Sequence, residues 1–344
     1  MTSTVVHGNP VSSAPGLGNV HAEFAELVSG CGLIDLSSRA QIALTGSDRV
    51  RWLNGMVTNN IRDLAVGRGV YAFLLNPQGH ILADMYAYNR GESITIDSDP
   101  SELEKLLATF NRYIIMDEVE VANVTGRMQS LGIAGPRAGD VLRGARFEFP
   151  RLESLQFVDV SWQNTAATLV RGDHPGIDWY ELWLAPEQVS ALRSALTQAG
   201  AKPVGAAALD LLRIAAGIPR YGQDIRERDL PQETSQDRAL HFSKGCYVGQ
   251  EIVERIRSRG AVHRKFAGFE VEGSLPTCGV KLQFETKDVG EITSVASLPA
   301  KDGERRVAIG YIRREFASGR LVQAGDAQLT VTNLPFAGIF SRQE

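Results

Sequence analysis

After about Lys265 the chain is written in short alternating runs, among them Lys281–Glu285, Glu291–Val295, Val307–Ile312 and Ala327–Thr332, separated by Gly, Pro and Asp. Alternation with period two is the mark of half-buried strands, and the punctuating residues mark tight turns between them. Short strands of this kind leave unpaired edges unless the sheet closes on itself, so a small β-barrel is expected here. The first three quarters read differently, with strand-like runs mixed with helical ones, so the fold class is α+β with a C-terminal β-barrel.

A chain of 344 residues exceeds what one small core accommodates, and several domains are expected. Residues 1–19, rich in Ser, Gly and Pro, read as a flexible tail. Val70–Leu75 and His80–Tyr88, on either side of Asn76-Pro77-Gln78-Gly79, form a predicted hairpin. Ser101 with Glu104 three residues on reads as a helix start, with the helix running to about Arg112. Helices are also expected from Pro186 to Ala199 and through Leu209–Ile214, the latter stopped at Gly217 and Pro219. No fixed-period repeat is visible, which removes solenoids and propellers.

Thirty-six basic against 40 acidic side chains leave a net charge of −4, which argues against a general nucleic-acid coat. No run approaches the roughly 18 to 20 apolar residues of a membrane span. The first Lys or Arg is Arg39, so a secretory or transit segment is not expected. Cys31, Cys246 and Cys278 are widely spaced and form no C-x-x-C pair, which leaves neither a disulfide framework nor a zinc knuckle. A reducing, cytoplasmic location fits this usage.

Several side chains have the setting for chemistry. Trp179, Glu181 and Trp183 share one face of a strand, and a carboxylate between two indoles is costly to bury unless hydrogen bonds reach it. Glu181 is then either a solvated edge acid or an acceptor for a flat ligand with two adjacent N–H donors, such as a pterin or purine edge. Arg213, among Leu209, Leu211, Leu212 and Ile214, either pairs with Asp210 three residues back or clamps an anion at a cleft. Asp84 shares a strand face with Tyr86 and Tyr88, as a solvated acid or as a group orienting a ligand nitrogen.

The segment Lys244-Gly245-Cys246-Tyr247-Val248-Gly249-Gln250-Glu251 places a cysteine between a cation and an expected helix start at Gly249 or Gln250, and both features lower a thiol pKa. A small packing residue is the alternative. Residues 244–265 hold six Lys/Arg and two Glu, a local +4, which is either a solvated helix face or a collector of anions. The chain shows no G-x-G-x-x-G fingerprint, Walker A loop, paired-His metal spacing or G-x-S-x-G elbow.

Lys244–Glu251 resembles the K-G-C-[FY]-x-G-Q-E signature of the YgfZ-type folate-binding proteins, which include iron–sulfur assembly factors and are related to the glycine-cleavage T-protein, an aminomethyltransferase. The similarity runs across nearly the whole chain after the tail. Gly32–Asp35, Trp52–Asn59, Gly69–Tyr71, Asp84–Tyr88, Asp178–Leu182, Leu212–Gly217 and Gly290–Ser294 are similar to further motifs of that superfamily. The resemblance implies a three-domain ring around a central folate-binding channel. It is expected to divide as 20–50 plus 125–245, 51–124, and a linker helix with the barrel over 246–344. It implies tetrahydrofolate, or a one-carbon derivative, as cofactor. Glu181 would hold the pterin ring, Arg213 would contact the folate away from the ring or a bound substrate, Asp84 would sit near the reactive nitrogens, and Tyr71 and Tyr88 would line the channel. Cys246 would be the working thiol, with Lys244, Gly245, Tyr247, Gly249, Gln250 and Glu251 as its supporting motif.

Departures from the T-protein pattern accompany the likeness. Its H-M-G reads Ser38-Arg39-Ala40, its tandem acids read Ala83-Asp84, its tyrosine before the pterin glutamate is His174, and the glutamate two after its arginine is Ala215. The resemblance therefore implies first a folate-dependent accessory protein for iron–sulfur cluster assembly or repair, with client or assembly proteins as partners. The alternatives are an aminomethyl- or methyltransferase of the T-protein type, with Asp84 catalytic, and a partner- or RNA-binding module using the basic helix near Arg255.

Overall fold

The computed structural model describes residues 19–260, 262–300 and 303–340. The tail expected over 1–19 lies outside these residues except for Asn19. Its side chain caps the helix Val20–Ser29 by accepting from the backbone N–H groups of His21 and Ala22.

Two sheets and a barrel organise the chain. The first sheet has six strands in the order Lys202–Val204, Gly32–Asp35, Gln129–Ala134, Trp179–Leu184, Thr165–Arg171 and Phe157–Trp162. The second has five, in the order Arg68–Leu75, Ile81–Asn89, Ile94–Ser98, Ala40–Thr45 and Glu120–Asn123. The first sheet is thus interrupted in sequence by the whole of the second. The Ala40–Thr45 strand pairs with Ile94–Ser98 on one side and Glu120–Asn123 on the other. It therefore lies in the second sheet, whereas a boundary at residue 50 puts it in the first. Alternation identifies a strand but not its hydrogen-bonding partners, which are some fifty and eighty residues away.

The hairpin expected around Asn76–Gly79 is present, Arg68–Leu75 against Ile81–Asn89. The helix after it is capped differently from the sequence expectation. Asp99, not Ser101, accepts from the Ser101 backbone N–H, a single 3₁₀ turn follows, and the α-helix runs Leu103–Tyr113 with Leu106 and Phe110 buried. The Ser101 hydroxyl is turned back on Asp99, donating to its Oδ1 at 2.7 Å, instead of accepting from an N–H of the following turn.

Six strands between Arg264 and Thr332 close into a barrel, so the edge problem posed by the alternating text is solved by closure. The helix Ala206–Ala216 ends at Gly217, whose φ of +71° is the left-handed C-cap conformation. Leu212, Ile214 and Ala215 on this helix share one core with Val307, Ile309 and Tyr311 of the barrel, which fixes the barrel against the first sheet. Among the described residues, no helix is long and apolar enough to cross a membrane.

Candidate ligand site

The strand Trp179–Leu184 carries Glu181, and the same-face geometry expected from alternation is realised. Trp179 Nε1 donates to Glu181 Oε1 and Trp183 Nε1 to Glu181 Oε2, each at 3.1 Å. Both indole donors are satisfied and the carboxylate plane is fixed. An ionised carboxylate has about four acceptor sites, so two remain for a ligand.

Glu181 lines a cavity of about 160 Å³ together with Arg39, Tyr86, Tyr88, Asp173, His174 and Trp179. Tyr88 is packed edge-on to Trp183 at 5.1 Å and to Phe157 at 5.9 Å, which holds one wall rigid. His174 stacks on Trp179 with ring centroids 5.7 Å apart and planes 10° from parallel. Both of its ring nitrogens are shut off from solvent without a hydrogen bond of ordinary geometry. Burial lowers its pKa to about 4, against a smaller pull upward from the Pro175 backbone, so the ring is neutral near pH 7. Arg39 donates through Nε to Asp97 Oδ1 at 2.8 Å, and its Nη2 reaches the same oxygen. Burial raises Asp97 to about 6 despite Arg39. Its second oxygen is buried without a partner.

Asp84 and Tyr71 form an adjoining cluster rather than part of this cavity wall. Tyr71 donates its hydroxyl to Asp84 Oδ2 at 2.5 Å, and the Arg238 guanidinium lies 4.3 Å from the Tyr71 ring centroid. Arg238 also pairs with Asp173, which accepts the Tyr86 hydroxyl at 3.0 Å. Burial pushes the Asp84 carboxyl upward, opposed by the Tyr71 bond and the charges of Arg39 and Arg238. Tyr86 therefore connects the Asp84 cluster to the Glu181 cavity.

Arg213 is held elsewhere. Its guanidinium donates to Asp210 at 2.6 Å, to Asp224 at 2.6 Å and to Ser294 Oγ at 3.0 Å. Asp224 is fully buried and also accepts from Arg220 N, Thr293 Oγ1 and Ser294 Oγ. The pairing with Asp210 expected from helical spacing is present. The folate contact drawn from the resemblance finds this guanidinium engaged in tying the helix to the barrel.

The Lys244–Glu251 segment is anchored on the second sheet's domain. Lys244 Nζ donates to the carbonyls of Asn54, Val57 and Asn59, each at 2.6 Å, where the helix Arg49–Met56 ends. Burial and the nearby Arg62 pull its pKa down to about 7. Sequence order puts Lys244 beside the thiol as a cation; in the fold its ammonium is satisfied by three carbonyls instead. Tyr247 is buried with its ring 5.0 Å from Lys244 Nζ. Its backbone N–H donates to Gln250 Oε1. Gly249 has φ +81°, and a Cβ there would sit 2.6 Å from the Asn76 carbonyl oxygen, so the motif presses on the hairpin turn where only glycine fits. Gly245 has no such restriction, since an added Cβ meets only the end of Arg62 at 3.4 Å. Gln250 starts the helix Gln250–Arg259, with Glu251 exposed in its first turn and Cys246 exposed just before it.

Arg39, Asp97 and His174 were not among the expected site residues. Asp97 sits opposite Tyr86 in the strand pairing, so it faces the same way, a relation visible only once register is known. Arg39 and His174 did carry a signal, since both stand where the T-protein pattern has another residue.

An α+β scaffold with an interrupted first sheet, a closed C-terminal barrel and a carboxylate in a small aromatic cavity defines the structural class. The GCVT N-terminal domain model matches residues 15–244, and the chain belongs to that family. It is 29% identical over 322 residues to an aminomethyltransferase of Rubrobacter xylanophilus, covering 92% of this chain and 86% of that one. It is 28% identical over 290 residues to an aminomethyltransferase of Thermus thermophilus, covering 82% and 79%. The crystal structure of the glycine cleavage system aminomethyltransferase T from Bartonella henselae superposes with a TM-score of 0.83 at 24% identity, over 94% of this chain and 91% of that one. That likeness establishes the fold.

Proposed function

We propose that the chain binds tetrahydrofolate, with the pterin ring in the Glu181 cavity. One observation carries this reading: a carboxylate with both oxygens fixed by indole N–H groups lines a cavity of about 160 Å³. Two parallel acceptors match the paired N–H donors of an aminopyrimidine edge. The volume lies below the roughly 300–1,000 Å³ of pockets for whole drug-sized ligands, so it suits the ring alone. Asp173 and Ile218 also line a cavity of about 590 Å³ whose wall carries Arg238 and Lys265, cations suited to a carboxylate-bearing tail. Bound tetrahydrofolate would supply the nitrogens that carry a one-carbon unit. Calorimetric titration of the purified protein tests the reading, and absence of binding overturns it.

Two readings of what is done with the folate draw on different observations. The relatives named aminomethyltransferase favour one-carbon transfer, with Asp84 beside the cavity as the acid that orients the reacting nitrogens. The exposed Cys246, set in a segment anchored by Lys244 and Gly249, favours an accessory role in iron–sulfur cluster assembly or repair in the cytoplasm. Formation of methylene-tetrahydrofolate from an aminomethylated lipoyl carrier selects the first. Its absence, with loss of iron–sulfur enzyme activity in cells lacking the protein and no rescue by Cys246→Ser, selects the second.

A further inference from the structure

The two departures from the T-protein pattern, Arg39 and His174, line the same small cavity as Glu181. Arg39 engages Asp97 through Nε and Nη2, while its Nη1 has no partner among the described residues. Glu181 is near enough for its charge to act on Arg39. The wall therefore offers a carboxylate acceptor and a guanidinium donor to one flat ligand.

We propose that Arg39 is the specificity-determining residue of this cavity, donating to a ring oxo group that neighbours the two N–H donors accepted by Glu181. The site then selects a 2-amino-4-oxo heterocycle and discriminates against its 2,4-diamino counterpart. An amino group in the oxo position would turn a donor toward a guanidinium that has only donors to offer, leaving both unpaired. This inference rests on the pterin-site reading and specifies which ring it takes.

The test compares folic acid with 4-amino-4-deoxyfolic acid, which lacks both the oxo acceptor and the neighbouring N3–H, by calorimetry on wild type and on Arg39→Met, and reads the role of Arg39 from the change in their affinity ratio. Loss of a charged hydrogen bond should weaken folic acid by about 10- to 100-fold and leave the 4-amino analogue nearly unchanged, so the preference narrows by that factor, while the part that Glu181 sets through the N3–H remains. Because Arg39→Met strips a buried carboxylate of its partner, the double variant Arg39→Met with Asp97→Asn is titrated beside it, with Asp97→Asn alone as control. Equal weakening of both ligands, or none, in the folded double variant overturns the role of Arg39 while leaving the pterin site standing. No binding of tetrahydrofolate or either probe by wild type overturns both.

Discussion

Trp183 donates its indole N–H to Glu181 Oε2 at 3.1 Å, and the two side chains lie on one face of the same strand, two residues apart. Trp179 completes the arrangement from the other side. The carboxylate is thus oriented before any ligand arrives, which lowers the ordering cost of binding. Glu181→Gln keeps the shape but leaves one acceptor oxygen and adds a donor. Tetrahydrofolate affinity should fall by about 2–4 kcal/mol, the scale of a disrupted buried charged pair. Unchanged affinity by calorimetry would remove Glu181 from the site.

Arg213 and Asp224 predict a stability effect separable from binding. Removing one partner of a buried ion pair typically costs about 3–5 kcal/mol, because the other charge is left without compensation. Arg213→Met should therefore lower the urea midpoint strongly, since Asp224 is fully buried. The fraction that remains folded should bind tetrahydrofolate with wild-type affinity. Weakened binding at unchanged stability would return Arg213 to the ligand.

The barrel was legible because alternation and turn residues are local, and closure follows from the need to hide edges. The face shared by Trp179, Glu181 and Trp183 was legible for the same reason. Register was not. Nothing local places Ala40–Thr45 between Ile94–Ser98 and Glu120–Asn123, or brings Asp97 opposite Tyr86. Lys244 shows the opposite failure: its nearness to Cys246 in sequence suggested a pairing, while its ammonium reaches carbonyls nearly two hundred residues upstream. Charges one or two positions apart meet only if the backbone lets them, and long side chains find the acceptors that burial leaves unsatisfied.

His174 makes a pH prediction with a definite sign. Its folded pKa of about 4 lies below the ordinary value, so as pH falls the unfolded chain takes up a proton that the folded one refuses. Its contribution is fully present above pH 6.5 and is lost as pH falls toward 4, about 3 kcal/mol over the whole range. Asp97, raised to about 6, and Glu102, raised to about 7, act oppositely, each gaining stability for the fold as pH falls through its raised value. The difference in urea stability between wild type and His174→Phe isolates the histidine. It should shrink in favour of the variant between about pH 6.5 and 4, and a flat difference would refute the buried, neutral ring.

Gly249 tests the docking of the motif on the hairpin. Alanine there would need a left-handed φ and would bring Cβ within 2.6 Å of a backbone oxygen. A cost of about 1–3 kcal/mol is expected, from the strained conformation and the displaced turn. Gly245→Ala, with no such contact, should be close to neutral. Similar urea midpoints for the two variants would show that the approach of Gly249 to Asn76 does not matter to stability.

Cys246 stands apart from two thiols whose pKa is raised. Cys31 is buried, and burial pushes its pKa up to about 12, so it holds almost no thiolate at neutral pH. Cys278 is exposed, yet partial desolvation together with the charge of Asp224 also raises it. Alkylation at neutral pH should therefore modify Cys246 first, Cys278 more slowly and Cys31 only on unfolding, an order that peptide mass mapping over time reads directly. Cys246→Ser should leave the urea midpoint and folate affinity unchanged, since the exposed thiol fills no core. With fold and binding intact in that variant, failure to restore iron–sulfur enzyme activity in cells lacking the protein would assign the defect to the sulfur. Full rescue, or alkylation of Cys278 ahead of Cys246, would instead make the cysteine of this motif an incidental surface residue.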